Sequence, residues 1–430
     1  MTGIVLATHA ASGHVLPTTV VARELVRRGH DVVWYCGDAF KDEITRTGAR
    51  FAPASPGALV HMDSLVDDFP AMARLHGPAR AAWFIENVFV APVVAQYRDL
   101  SAVFADSGAD VLVADSTLLG AGLLHEMEDR LWATLSVAPL AIPDPDVAPF
   151  GPGWPPPTTA VQRARNKVMQ RMADQTVLRG ATQRMNQERA TLGLDGVRTP
   201  FEANATPYLY MQATTPAFEY PRRNPPGHLH FVGPLLPQPR PDLELPDWWA
   251  DVDGRRPVIL VTQGTLTSVE DDLIAPAVRA LAGAGALVLA TTARGGPDLA
   301  GGAAPNVRTA PFLPLDRVLP RVDVVVTNGG YGTVHQALAC GVPLVVAGQT
   351  EDKPEVCARV AWSGAGIDLK TSHPRPRQVA EAVASVLTED GYRAAAARIA
   401  ADFAGYDAPG TVADLVAKLV ATRGAISSAA

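Results

Sequence analysis

The chain opens with an apolar run, Ile4 to Thr8, of the kind found in a buried parallel strand. Small residues follow. Apolar positions then recur at helical spacing from Thr18 to Arg28, closed by Gly29, and a second apolar run spans Asp31 to Tyr35. This spacing predicts a β-α-β unit. Asp110 to Ala114 predicts a strand ending at Asp115, Leu118 to Glu126 a helix, and Leu131 to Val137 a further strand. Eight prolines between Pro139 and Pro157 exclude regular structure there and suit a long loop beside a site, or a lid. Thr158 to Leu192 is polar and largely helical in spacing.

The alternation then restarts. Phe231 to Pro246 is proline-rich and marks a boundary. Val258 to Val261 predicts a strand, Gly264 to Leu266 a turn and Asp271 to Leu281 a helix. Leu287 to Ala290, Val322 to Val326 and Pro343 to Ala347 read as strands. Val334 to Ala339, Arg377 to Leu387 and the Ala-rich stretch Gly391 to Val420 read as helical. The expected fold class is α/β, with two facing doubly wound domains and a cleft between them. The expected boundaries are 1–236, a linker at 237–246, and 247–430, whose last helix is placed to return to the N-terminal domain. Ligands of such sheets sit beyond the carboxyl ends of the strands. The loops after Thr8, Ala114 and Val326 therefore matter most.

Composition narrows the function classes. The 430 residues are 47% apolar and 19% charged, with a net charge of -7, which disfavours a nucleic-acid partner. Cys36, Cys340 and Cys357 have neither disulfide-framework nor zinc spacing. No uninterrupted apolar run reaches the roughly 18 residues of a membrane span, and MTGIVLATHA lacks a basic n-region. These features predict a cytoplasmic, soluble protein without a membrane span, for which a homodimer is admissible. Asp144-Pro-Asp146 and Asp251-Val-Asp253 read as solvated pairs, so no metal is expected.

Two regions carry candidate chemistry. His9 and His14 follow the first strand, and Asp115 ends a strand at the same sheet edge. A hydroxyl is a poor nucleophile unless a base takes its proton, and an imidazole oriented by a carboxylate suits that task. In the second half, Val324 to Leu338 (VVVTNGGYGTVHQAL) runs from strand through a glycine turn into a helix. Gly330 and Gly332 permit close backbone approach, the helix start offers free N–H groups, and Thr333 adds a hydroxyl, which together suit a phosphate. A dinucleotide fingerprint stays open as an alternative: the spacing from Gly330 ends in His335 rather than glycine, with Glu351 about twenty residues on. Met62, Phe69, Trp83, Phe84 and Phe89 are candidates to line an apolar cavity.

Phe312 to Asp368 resembles the nucleotide-sugar signature of family-1 glycosyltransferases, and the chain is similar to bacterial natural-product and macrolide glycosyltransferases. Their fold, GT-B, is two facing Rossmann-like domains. The resemblance places Phe312 and Leu313 in the segment that stacks the nucleotide base, with Leu315 where a glutamine is usual. Asn328 stands where a histidine touches the diphosphate, Gly332 and Thr333 at further phosphate donors, Gln336 at the ribose, and Thr265 at another donor contact. The acid-plus-glutamine pair that holds the sugar aligns with Asp352-Lys353, or with Glu351-Asp352 if one residue is deleted. An acid is present either way and the glutamine is missing. Gly13-His14-Val15-Leu16-Pro17 fits the G-H-x-x-P motif, implying His14 as base and Asp115 as its partner. Alignment on Thr8-His9-Ala10-Ala11 would give His9 that role; otherwise His9 is a loop residue or lines the acceptor site. The implied activity is inverting, metal-independent and cofactor-free glycosyl transfer. It takes a sugar from a UDP- or dTDP-sugar co-substrate to a hydroxyl of a small hydrophobic acceptor such as a polyketide, macrolide or phenol. A nucleotide-sugar epimerase, a non-catalytic helper of the same fold and an NAD-dependent enzyme are the rival readings.

Overall fold

The computed structural model describes residues 1–144, 147–239, 244–263, 273–291 and 304–428. Its strands form two sheets. The first contains β1 (Gly3–Ala7), β2 (Asp31–Cys36), β3 (Arg50–Pro53), β4 (Val111–Asp115), β5 (Trp132–Ser136), β6 (Tyr210–Gln212) and β7 (Leu229–Phe231), in the order β3-β2-β1-β4-β5-β6-β7. The second contains β8 (Val258–Thr262), β9 (Leu287–Thr291), β10 (Val307–Ala310), β11 (Val324–Thr327), β12 (Leu344–Val346) and β13 (Gly366–Asp368), in the order β10-β9-β8-β11-β12-β13. Neighbouring strands are parallel throughout the described residues. Helices cover both faces, so β4 and β8 are buried at every position and read as unbroken apolar runs. Along β1, Ile4 and Leu6 enter one core while Val5 and Ala7 enter the other. The strand order reverses between β1 and β4, and again between β8 and β11. Each reversal opens a crevice at the carboxyl ends of its strands.

The helices that position the site are α1 (Ser12–Arg27), α2 (Gly77–Phe84), α3 (Val93–Ser107), α4 (Gly120–Glu128), α5 (Tyr331–Ala339), α6 (Lys353–Trp362) and α7 (Ala408–Thr422). α1 begins at Ser12 rather than at the expected Thr18. The Asp63 carboxylate accepts from Ser12 N at 3.0 Å and from its hydroxyl, so an acid from a distant segment satisfies the helix start. Pro17 therefore lies inside the helix, where its missing N–H leaves the Gly13 carbonyl without an i+4 partner.

α2, a π-helical turn at Ile85–Val90 and α3 make one continuous run, Gly77–Ser107. Among the described residues it alone is long and apolar enough to cross a membrane. Its Val93, Leu100 and Phe104 are buried in the cores of the first half. The expected single C-terminal helix is two, Asp390–Phe403 and α7, because the Asp407 carboxylate accepts from Gly410 N at 3.2 Å and starts α7 anew. α7 packs Val412, Val416 and Leu419 into the core that holds Val20, Val21 and Leu25 of α1.

The proline-rich stretch has no helix or strand in its described part. It is tied down by charge. Glu355 on α6 accepts from Gly151 N at 2.8 Å and Gly153 N at 2.9 Å, and pairs with Arg359 at 3.0 Å. Arg359 also holds Glu219 at 2.6 Å, and Glu219 accepts from Leu140 N at 3.1 Å. The three ionic side chains are buried.

Candidate active site

His14 lies in the first turn of α1 and Asp115 is the last residue of β4, so the two meet where the first sheet's order reverses. His14 Nδ1 donates to Asp115 Oδ2. The other carboxylate oxygen accepts from Thr117 N at 2.9 Å and Thr117 Oγ1 at 2.8 Å. Asp115 is thus held from both sides, with its side chain 1% exposed against 18% for His14. This arrangement leaves His14 Nε2 with a free lone pair when the ring is neutral. Burial pulls the imidazole pKa down, but the Asp115 charge and hydrogen bond, with Asp352 and Asp63 adding to them, raise it overall. Burial pushes the Asp115 carboxyl up, and the two histidines and Thr117 outweigh it, so Asp115 stays ionised far below the usual range.

His9 is 1% exposed and its ring stands edge-on to His14, with centroids 5.8 Å apart. Neither ring nitrogen has a well-formed hydrogen bond; the Asp115 charge, the His14 ring and the Thr117 backbone act on the ring. Burial holds its pKa low, so it is neutral. The Phe89 ring lies 5.2 Å away and packs in turn against Phe84 at 5.1 Å and Phe201 at 6.5 Å; Phe69 and Trp83 pair at 5.3 Å. A wall of aromatic rings therefore leads from the dyad. Met62 is a correction to the expected lining: it is buried with Leu65, Met72 and Val88 and supports the wall from behind.

The second half places Asn328 after β11, buried, with Gly330 capping α5. Gly329 is the glycine this turn requires, at φ +85° with its missing Cβ only 2.5 Å from Cys357 Sγ. Gly330 and Gly332 border open space, and Thr333 is half-buried on the first turn of α5. Gln336 turns back to the Gly332 carbonyl at 3.2 Å. Phe312 is 62% exposed and offers its face. Leu313 is a second correction: its side chain is buried in the core with Val318 and Leu319, which leaves only its main chain for a ligand. Thr265 and the turn Gly264 to Leu266 lie outside the described residues.

Glu351 and Asp352 precede α6, facing the first half. Lys353 Nζ and Arg80 Nη2 both pair with Glu351, the latter at 2.9 Å. Burial raises the Glu351 carboxyl, but the two cations and Thr350 bring it down to about 2. Asp352 is pushed up, chiefly by burial and then by Glu351 against the pull of Lys353, and it lies close enough to His14 for the two charges to act on each other. Asp251 pairs with Arg308 at 2.6 Å and Asp253 with Arg255 at 3.2 Å, while the three cysteines are free thiols. Lys353, expected only in the place of the family's glutamine, is a cation paired with Glu351. Thr117, Asp63, Arg80 and Phe201 were not expected from the sequence. Only Thr117 leaves a local trace there, as a hydroxyl two residues past a strand-end aspartate.

A model of the "Erythromycin biosynthesis protein CIII-like, C-terminal domain" family matches residues 279–420. The 4'-demethylrebeccamycin synthase of Lentzea aerocolonigenes is 41% identical, over 97% of this chain and 99% of its own. The chain belongs to this family of natural-product glycosyltransferases. The glycosyltransferase shares its fold with solved structures. That of the kitacinnamycin glycosyltransferase has a TM-score of 0.75 at 20% identity, covering 97% of this chain and 99% of its own. VinC, solved in complex with dTDP, has a TM-score of 0.65 at 20% identity, covering 98% and 100%. Family-1 enzymes of this fold invert the sugar's anomeric centre and need neither metal nor cofactor, the nucleotide sugar being a co-substrate. An epimerase, a non-catalytic helper or an NAD-dependent enzyme is not favoured by these relatives.

Proposed function

We propose that this glycosyltransferase moves a sugar from a UDP- or dTDP-sugar to a hydroxyl of a flat, hydrophobic natural product, with His14 as general base and Asp115 as its orienting partner. The first half, residues 1–236, takes the acceptor; residues 247–430, beyond the linker at 237–246, take the nucleotide sugar. The His14–Asp115 pair carries the reading, because it stands at the switch point of one sheet while the Asn328–Thr333 turn stands at that of the other. The acceptor O–H gives its proton to His14 Nε2 as its oxygen attacks the anomeric carbon. The bond from that carbon to the diphosphate breaks on the opposite face, and the diphosphate leaves with the electron pair. The open start of α5, with Gly330, Gly332 and Thr333, suits the diphosphate, and Asn328 adds a neutral hydrogen-bonding group. Phe312 suits the base and Gln336 the ribose. Of the two acids, Asp352 is the one left for the sugar hydroxyls, since Glu351 is held by two cations.

The rings His9, Phe89 and Phe84, with the Phe69–Trp83 pair on the same apolar cluster, favour an aromatic acceptor, in keeping with the rebeccamycin product in the relative's name. The burial of Val93, Leu100 and Phe104 in the second part of the Gly77–Ser107 helix fits a cytoplasmic protein that needs no membrane. The decisive experiment replaces His14 and, separately, His9 with Ala, and assays UDP- and dTDP-sugars against polyketide, macrolide and phenolic acceptors. Loss of transfer at His14 with partial retention at His9 is expected. Full activity in His14→Ala would overturn the assignment.

A further inference from the structure

Among the contacts that join the two halves, one links the proposed acceptor side of the cleft to the proposed sugar side, and the transfer reading above does not require it. Arg80 Nη2 reaches Glu351 Oε1 at 2.9 Å, 271 residues away, and each side chain is only about one-fifth exposed (21% and 19%). Arg80 is on α2, with Trp83 and Phe84 three and four positions on, so all three lie on one face of the helix. Glu351 immediately precedes Asp352. Its backbone is in the left-handed region at φ +52°, which a glutamate occupies only where its surroundings hold it. Two cations do so here: buried Lys353, which also donates to Thr350 Oγ1 at 3.2 Å, and Arg80 from the other half.

We propose that Arg80 is a positioning residue, clasping Glu351 so that the aromatic acceptor helix and the sugar-facing Asp352 close on each other as one unit. The inference rests on the transfer reading for its consequence, though not for its geometry. An acceptor seated on Trp83 and Phe84 steadies α2 and with it Arg80. Arg80 fixes Glu351, and the neighbouring Asp352 is then set against the donor near His14. Glu351 itself is excluded from the sugar, because both its oxygens are engaged.

The test uses the full-length protein and Arg80→Met, which leaves the Glu351–Lys353 pair intact, with Arg80→Lys as the charge-retaining control. Two readouts are taken: transfer kinetics, and small-angle scattering with UDP or dTDP bound. Arg80→Met is expected to lower kcat/KM about tenfold and to increase the radius of gyration, while Arg80→Lys recovers most of both. Dissociation constants for UDP and dTDP, which the second half holds, stay within about twofold of the wild type. Either change without the other, or no change in both, overturns the clasp, as does a lysine variant as impaired as the methionine one. If the wild-type protein transferred no sugar to any acceptor, the functional reading would fail, and the scattering alone would still decide the clasp.

Discussion

His14 donates its Nδ1 proton to Asp115 across 101 residues of sequence, and Thr117 holds the carboxylate from its other side. In the proposed mechanism the aspartate thereby selects the tautomer and stabilises the imidazolium that forms when the acceptor is deprotonated. Asp115→Asn keeps the shape and removes both effects, since an amide can present its N–H to the ring and favour the wrong tautomer. Transfer should fall by roughly 10²–10⁴-fold in kcat with acceptor binding little changed. Steady-state kinetics of the purified variant measure this. A loss below about threefold would remove Asp115 from the mechanism.

On that proposal the same pair sets the pH dependence. A base works only when unprotonated, and His14 has its pKa raised in the fold. kcat/KM should therefore climb with pH through a midpoint above the ordinary histidine value of about 6.5. Stability runs the other way at this residue. A raised folded pKa contributes stability that is full below about 6.5 and is lost as pH rises through the folded value. For Asp115 the folded pKa is depressed, so its contribution is full above about 3.9 and is lost as pH falls toward the folded value. These are two views of one ion pair and count once. A pH–rate profile beside thermal melts should show activity still rising where the pair's stabilisation begins to fade. A rate midpoint below 6.5 would contradict the assignment of His14.

Long, continuous apolar strands were readable from the chain because they are buried on both faces: β1, β2, β4, β8 and β11 each read as one hydrophobic run. β6, β7 and β13 were not: they have three residues each, too few to show a period, and form because a neighbouring strand templates them, whereas β12, equally short, stands within the apolar stretch Pro343 to Ala347. α6 hid for another reason. Its sequence, KPEVCARVAW, buries Lys353, Glu355 and Arg359 beside its apolar residues, so no polar face marks it as a helix. The candidate site was legible where each member stands in its own local motif, as for His14 in Gly13-His14-Val15-Leu16-Pro17 and Asp115 at the end of an apolar strand. It was not legible where partners meet only in space, as for Asp63 with Ser12 and Arg80 with Glu351.

The buried ionic cluster makes a prediction about the proline-rich segment. Arg359 lies between Glu219 and Glu355, and its guanidinium also stacks on the Tyr220 ring at 4.1 Å. Arg359→Leu leaves two carboxylates buried without their cation, which should cost about 3–5 kcal/mol. The Gly151 and Gly153 contacts to Glu355 should loosen with it. Chemical denaturation gives the energy, and limited proteolysis shows whether the segment becomes cleavable. A stability change under about 1 kcal/mol would mean that water reaches the carboxylates once the arginine is gone.

Two glycines of one turn separate folding from binding. Gly329→Ala puts a Cβ at a positive φ and 2.5 Å from Cys357 Sγ. Left-handed strain and overpacking together should cost about 2–4 kcal/mol, read as a lower melting temperature. Gly332→Ala meets nothing within 4 Å, has no positive φ and lies inside α5. Its stability should be unchanged or up to about 1 kcal/mol higher, because alanine is the better helix former. The space its methyl enters is the space assigned to the diphosphate. The variant should therefore melt normally and bind UDP or dTDP about tenfold more weakly, as measured by calorimetry. A stable Gly332→Ala protein with wild-type nucleotide affinity would move the phosphate site away from the start of α5.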